Sequence, residues 1–194
     1  MNRRQYLASG LGAAGLLAGC LSTGDGGSTP TPRPVISIVD RDAPPDIPVE
    51  PSVEVATAAA SGDGPPELRT SVENTADHPI EVGEERAIVF AFVSSEERPG
   101  LTLLPAGGEY PAVEPGCWRL REPIAIAEYY GVVELAPGEA SSRRVGVWES
   151  PDGEGCLPTG EFRLATTYAG ARDRTDGVEE REWQGTWGFT LAVE

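Results

Sequence analysis

Phe162-Arg163-Leu164-Ala165-Thr166-Thr167-Tyr168 decides the fold class. Phe162, Leu164, Thr166 and Tyr168 fall on one parity and Arg163, Ala165 and Thr167 on the other, the period of a strand with one face in a core. The same period governs Leu68, Thr70 and Val72 against Arg69, Ser71 and Glu73. It returns where Trp183, Trp187, Phe189, Leu191 and Val193 share a parity opposite Gln184, Thr186 and Thr190. Ala87 to Val93 is apolar on both parities, which predicts a central strand covered on both faces. Weaker strands are expected over Val35–Val39, Val53–Ala59 and Arg143–Trp148. Turn signals lie at Gly62-Asp63-Gly64-Pro65-Pro66, Pro137-Gly138, Pro151-Asp152-Gly153 and Pro158-Thr159-Gly160. Only Pro123 to Tyr130 has the makings of a helical turn. No repeat is visible. Many short strands without helical periodicity predict a two-sheet sandwich over residues 35–194.

Three local patterns sharpen that expectation. Val72-Glu73-Asn74-Thr75-Ala76-Asp77-His78-Pro79-Ile80 resembles a strand–turn–strand segment of extracellular immunoglobulin-like modules. Leu135-Ala136-Pro137-Gly138-Glu139 resembles their Leu-x-Pro-Gly-Glu turn, and Gly160-Glu161-Phe162-Arg163-Leu164 the strand that often follows it. The resemblance implies an all-β, immunoglobulin-like antiparallel β-sandwich of about seven to nine strands. It implies no particular function.

The front of the chain reads differently. Asn2-Arg3-Arg4-Gln5-Tyr6-Leu7 resembles the twin-arginine export motif, although Asn2 stands where Ser or Thr is usual and Ala8 where Lys is common. The apolar run Leu7–Ala18 is about twelve residues, too short to cross the ~30 Å hydrocarbon core of a bilayer, and glycines dilute it. It closes on Leu17-Ala18-Gly19-Cys20, which resembles a lipobox. Small residues there admit a peptidase, and the Cys20 thiol then accepts lipid; an ordinary signal peptide with an incidental cysteine is the plainer alternative. Residues 1–34 as a whole resemble haloarchaeal twin-arginine lipoproteins. The expected organisation is a signal peptide over 1–19, a lipidated cysteine with a disordered Gly/Ser/Thr/Pro spacer over 20–34, and the sandwich thereafter. Ser22 to Pro34 has nothing apolar to bury and so cannot offset the entropy of ordering.

Charge narrows the partners. The chain has 15 basic residues, all Arg, against 31 acidic ones, for a net −16. Without Arg3 and Arg4, 13 basic residues remain against 31 acidic, a net −18 from Cys20 onward. Such a surface repels phosphate backbones, so nucleic acid is not an expected partner. Its self-repulsion largely vanishes in molar salt, where the Debye length is about 3 Å. The composition resembles that of a salt-loving archaeon; a GC-rich genome is the blander source of Arg without Lys. The expected location is the extracytoplasmic face of the membrane, with the bilayer as one partner through the lipid and an unidentified protein or glycan as another.

Three cysteines leave one over in an exported protein. Lipid on Cys20 accounts for it, and Cys117 and Cys156 are then expected to pair, closing a loop of about 40 residues worth about 4 kcal/mol in loop-closure entropy. A metal pair or two free thiols are the other readings, and two sulfurs without Cys-x-x-Cys spacing make a poor metal site. Gly116 and Gly155 beside them suit loops meeting at one end of a sandwich.

Catalytic chemistry is hard to place. Blue copper needs two His and a Cys, but His78 is the only histidine and Met1 the only methionine. His78 sits in an Asp-His-Pro turn and reads more simply as a solvated turn residue than as a base. Two acidic clusters, Glu149/Asp152/Glu154 and Asp173/Asp176/Glu179/Glu180, offer hard oxygens for calcium without matching a calcium-loop pattern, so no metal is assigned. Trp118, Trp148, Trp183 and Trp187 read as core or sheet-face packing; Trp183 and Trp187, with Tyr129 and Tyr130 elsewhere, are the alternative platform for a sugar or aromatic partner. No catalytic residue and no cofactor is expected, and the chain is not expected to be an enzyme. The expected function is a non-catalytic binding or envelope-structural module. A protease-inhibitor-like or chaperone-like module would need a protruding loop, for which Ser94 to Gly108 is the candidate. A solute-binding accessory lipoprotein is a third reading, although the pattern lacks two α/β lobes.

Overall fold

Nine strands are found among the described residues. They are β1 (Ile36–Arg41), β2 (Val49–Thr57), β3 (Glu67–Asn74), β4 (Ile80–Glu85), β5 (Leu101–Pro105), β6 (Tyr130–Leu135), β7 (Ala140–Glu149), β8 (Gly160–Ala171) and β9 (Arg181–Val193). Of these, β2, β3 and most of β8 alternate in burial as the period-two segments require. The structure is a computed structural model that describes residues 33–85, 88–125, 130–171 and 181–194. The signal motif, Cys20, nearly all of the spacer, Tyr129 and the Asp173–Glu180 cluster lie outside the described residues.

All pairings between strands are antiparallel. One sheet has the order β1-β9-β8-β4-β6 and the other β2-β3-β7-β5. The second is the A-B-E-D order of an immunoglobulin sandwich, and β9-β8-β4-β6 follows G-F-C-C′, with β1 added beside β9. One feature departs from that scheme: β5, in the D place, precedes β6, in the C′ place, along the chain. The chain is an immunoglobulin-like antiparallel β-sandwich.

The longest pairing, β8 with β9, sets Phe162 opposite Leu191, Leu164 opposite Phe189 and Thr166 opposite Trp187, all buried on the inner face. Leu68, Val72, Leu101, Leu103, Val145 and Val147 face them from the other sheet. Parity places these side chains, and burial of their apolar area holds the sheets together.

Ala87–Val93 corrects the expectation of a central strand. Ile88–Phe90 form a turn on the connection between the sheets, and Val89, Phe90 and Phe92 hold φ of 68°, 60° and 65°. Ile88–Ala91 are apolar on both parities because they lie buried, not because they form a strand. Left-handed backbone at a β-branched or aromatic residue costs about 1–3 kcal/mol each. What offsets it is Phe90, whose ring packs 5.3 Å from Phe189, 5.8 Å from Trp187 and 6.4 Å from Tyr168, centroid to centroid. Pro123–Ala125 carry no helix, and Tyr130 opens β6. Ser94–Gly108 is not a protruding loop, since it contains edge strand β5 with Leu101, Leu103 and Leu104 buried.

Two of the immunoglobulin-like patterns meet on one side chain. Asn74, buried where the chain leaves β3 for β4, accepts the Ala76 N–H through Oδ1 at 2.8 Å. Its Nδ2 donates to the carbonyls of His78 and Leu135, each at 2.9 Å. Its backbone exchanges hydrogen bonds with Gly138 and Glu139, at 3.0 and 2.9 Å. Asn74 thereby ties the β3–β4 turn to the Leu135–Glu139 turn, where Gly138 takes φ +71°.

Candidate functional site: an aromatic groove beside a disulfide

Strand β7 points Val145 and Val147 into the core, so Gly146 and Trp148 face the outer side of their sheet. The long connection between β5 and β6 folds over that side. It brings Tyr110 and Trp118 onto Trp148, with ring centroids at 5.6 and 5.2 Å and planes at 74° and 88°. Leu104 and Leu120 complete this second apolar cluster. β5 is thus buried on both faces, which hides it from a search for alternation.

Cys117 and Cys156 are disulfide-bonded, with Cα atoms 4.6 Å apart. The bond joins the β5–β6 connection to the β7–β8 loop at one end of the sandwich, directly before Trp118. Backbone pairing continues the junction: Glu149 N–H donates to the Trp118 carbonyl at 2.8 Å and Leu120 N–H to the Glu149 carbonyl at 3.0 Å. Glu114 joins the two sulfurs in the one cluster of potential metal ligands among the described residues, but the sulfurs are bonded to each other.

Beside the ring cluster lies a groove of about 730 Å³, continuous with a shallower one of about 480 Å³. Pro65, Pro105, Pro111, Tyr110, Trp118 and Trp148 make its apolar walls, and Gly107 and Gly108 its open rim. Its charges are Asp63, Glu67 and Glu109, with Arg144 at the far end held 2.5 Å from Glu67. Two of the three ring donors are used internally: Tyr110 Oη donates to the Pro105 carbonyl and Trp118 Nε1 to the Ser61 carbonyl, each at 3.0 Å. Trp148 is only 5% exposed, and no hydrogen-bond acceptor meets its Nε1 among the described residues. Gly146 makes the groove floor possible. A Cβ there would sit 2.9 Å from Pro65 Cγ and 3.1 Å from Trp148 Nε1.

No family model, no curated protein and no solved structure matches this chain.

Trp187 is 2% exposed in the core, so it cannot serve in a platform with Trp183, which lies half-buried against Gly170. His78 is an exposed turn residue with Nδ1 2.9 Å from Asp77 Oδ1, and that contact holds the Asp77 carboxyl below its ordinary range. Glu149, Asp152 and Glu154 do not converge. Glu149 turns inward against Arg119 and Gly153, and burial raises its carboxyl, whereas Asp152 pairs outward with Arg98 at 3.6 Å.

A second polar cluster lies between the sheets. The fully buried Glu84 accepts the Val89 N–H at 2.6 Å and the Phe90 N–H at 3.1 and 3.3 Å. Thr70 Oγ1 donates to the Val89 carbonyl at 2.8 Å and Arg143 Nε to the Ile88 carbonyl at 3.2 Å. Burial pushes the Glu84 carboxyl up to about 7, against the opposing pull of its Thr166, Val89 and Phe90 hydrogen bonds and of Arg143. Burial, with Glu84 as neighbour, raises the Tyr168 phenol well above its ordinary value. These groups pin the left-handed turn between the sheets.

Proposed function

We propose that the chain is a twin-arginine-exported lipoprotein, held by lipid on Cys20 at the extracytoplasmic face of a salt-adapted cell, whose sandwich is a non-catalytic binding module. The anchor rests on Arg3, Arg4, the short apolar run and Leu17-Ala18-Gly19-Cys20; the disulfide suits an oxidising exterior. The observation that carries the binding role is the aromatic groove, where the Trp148 N–H keeps some exposure and meets no acceptor among the described residues, which leaves it to water or a ligand. The candidate loop of an inhibitor-like module, Ser94–Gly108, does not protrude.

Site-specific photo-crosslinking in intact cells tests the role. A crosslinking residue at Glu109, on the groove rim, is expected to give a discrete adduct. The same residue at the exposed Val132, on the opposite sheet, is expected to give none. Equal labelling from both positions, or none from Glu109, contradicts a binding role for the groove.

A further inference from the structure

The chemistry of the groove narrows its ligand. Resting on the binding role just proposed, we infer that the groove takes an extended, proline-rich peptide segment carrying a positive charge, one of whose backbone carbonyls accepts the Trp148 indole N–H.

The donor comes first. An indole nitrogen only donates, so the ligand atom facing it is an acceptor. Trp148 Nε1 lies against Pro65 and Gly146 at the floor of the groove, while the Trp118 and Tyr110 polar atoms are occupied within the protein. One donor amid apolar walls suits a ligand with carbonyls at regular intervals and few N–H groups. A polyproline II strand is such a ligand: it makes no internal hydrogen bonds, its prolines lack N–H groups, and it is ordered before binding. Grooves lined by aromatic side chains also dock such strands.

Charge sets the sign. Asp63, Glu67 and Glu109 line the groove, and its one cation, Arg144, is already paired with Glu67. An anionic ligand is repelled and a cationic side chain attracted. The rings argue against a sugar. Stacking needs an open aromatic face, whereas Trp148 is nearly buried beneath two perpendicular rings.

Titration of the full chain, in salt that keeps it folded, tests the assignment. The probes are an acetylated, amidated Pro-Pro-Arg-Pro-Pro-Pro peptide, its scrambled Gly/Ser counterpart with one Arg, and a neutral hexasaccharide. The readouts are tryptophan fluorescence and the indole N–H resonance of Trp148, assigned by its loss in Trp148→Phe. The proline peptide is expected to saturate and shift that resonance, the Gly/Ser peptide to bind at least about tenfold more weakly, and the sugar not to bind. Trp148→Phe keeps a ring but removes the donor and should weaken proline-peptide binding about tenfold. Glu109→Arg, an exposed change that leaves the rings alone, should weaken it severalfold. Thermal melts of both variants establish that they fold. No saturation by the proline peptide, equal binding of the two peptides, or undiminished binding by Trp148→Phe overturns the assignment. If the sugar binds instead and the binding is lost in Trp148→Phe, the ligand class is wrong but the groove remains a binding site. If no probe binds and Glu109 also fails to crosslink, the binding role itself falls.

Discussion

A Glu84→Ala chain is expected to lose about 4 kcal/mol of stability at pH 5, read from denaturant unfolding in constant high salt. The change strands two buried backbone N–H groups, at about 1–3 kcal/mol each, and leaves a cavity between the sheets. It also releases a turn in which Val89, Phe90 and Phe92 are held left-handed. The penalty should depend on pH, and its sign follows from the raised carboxyl. Glu84 titrates at about 7 when folded and near 4.5 when unfolded. The stability it contributes is therefore complete below pH 4.5 and is lost as pH climbs towards and through 7, because the unfolded chain releases this proton first. The cost of Glu84→Ala should accordingly shrink by about 2–3 kcal/mol between pH 5 and pH 8. Referring the wild type to the variant cancels the titration of the other acidic residues. A penalty that is constant over that range, or that grows, contradicts a buried carboxyl with a raised pKa.

Replacing both Cys117 and Cys156 by Ser is expected to cost about 4 kcal/mol, from the loop-closure entropy of a 39-residue separation. Thermal unfolding with and without reductant should show the same loss in the wild type and none in the double variant. The damage should be local as well as global. Trp118 follows Cys117, and its contact with Trp148 depends on the connection that the disulfide holds to the β7–β8 loop. Indole exposure measured by quenching should therefore rise in conditions where the variant is still folded. Stability equal to the wild type, with unchanged quenching, contradicts a structural role for the bond.

Legibility followed geometry. Strands with one wet face announced themselves: β3, β8 and β9 alternate, and their apolar parity is the core parity. Alternation could not report β5, because the second aromatic cluster covers its outer face, nor separate the Ile88–Phe90 turn from a strand, because burial removes the period in either case. The three immunoglobulin-like patterns carried more than any one suggested, since Asn74 bonds two of them together. Glu84 had a signal that went unused. It continues the inward parity of Ile80 and Val82, and a carboxylate at a core position needs partners. The groove had almost none, because Trp148 lies far along the chain from Tyr110 and Trp118 and only folding brings their rings together. The outward parity of Trp148 beside inward Val145 and Val147 was its one local trace.

All of the proposed biology depends on where this sandwich resides, and fractionation of cells expressing the wild type and a Cys20→Ser variant, with intact-mass analysis of the purified protein, tests that most directly. The wild type is expected in washed membranes, beginning at residue 20 with added lipid mass, and the variant in the soluble fraction. A variant that sediments with membranes as fully as the wild type, or a wild-type protein beginning elsewhere without added lipid mass, contradicts the account.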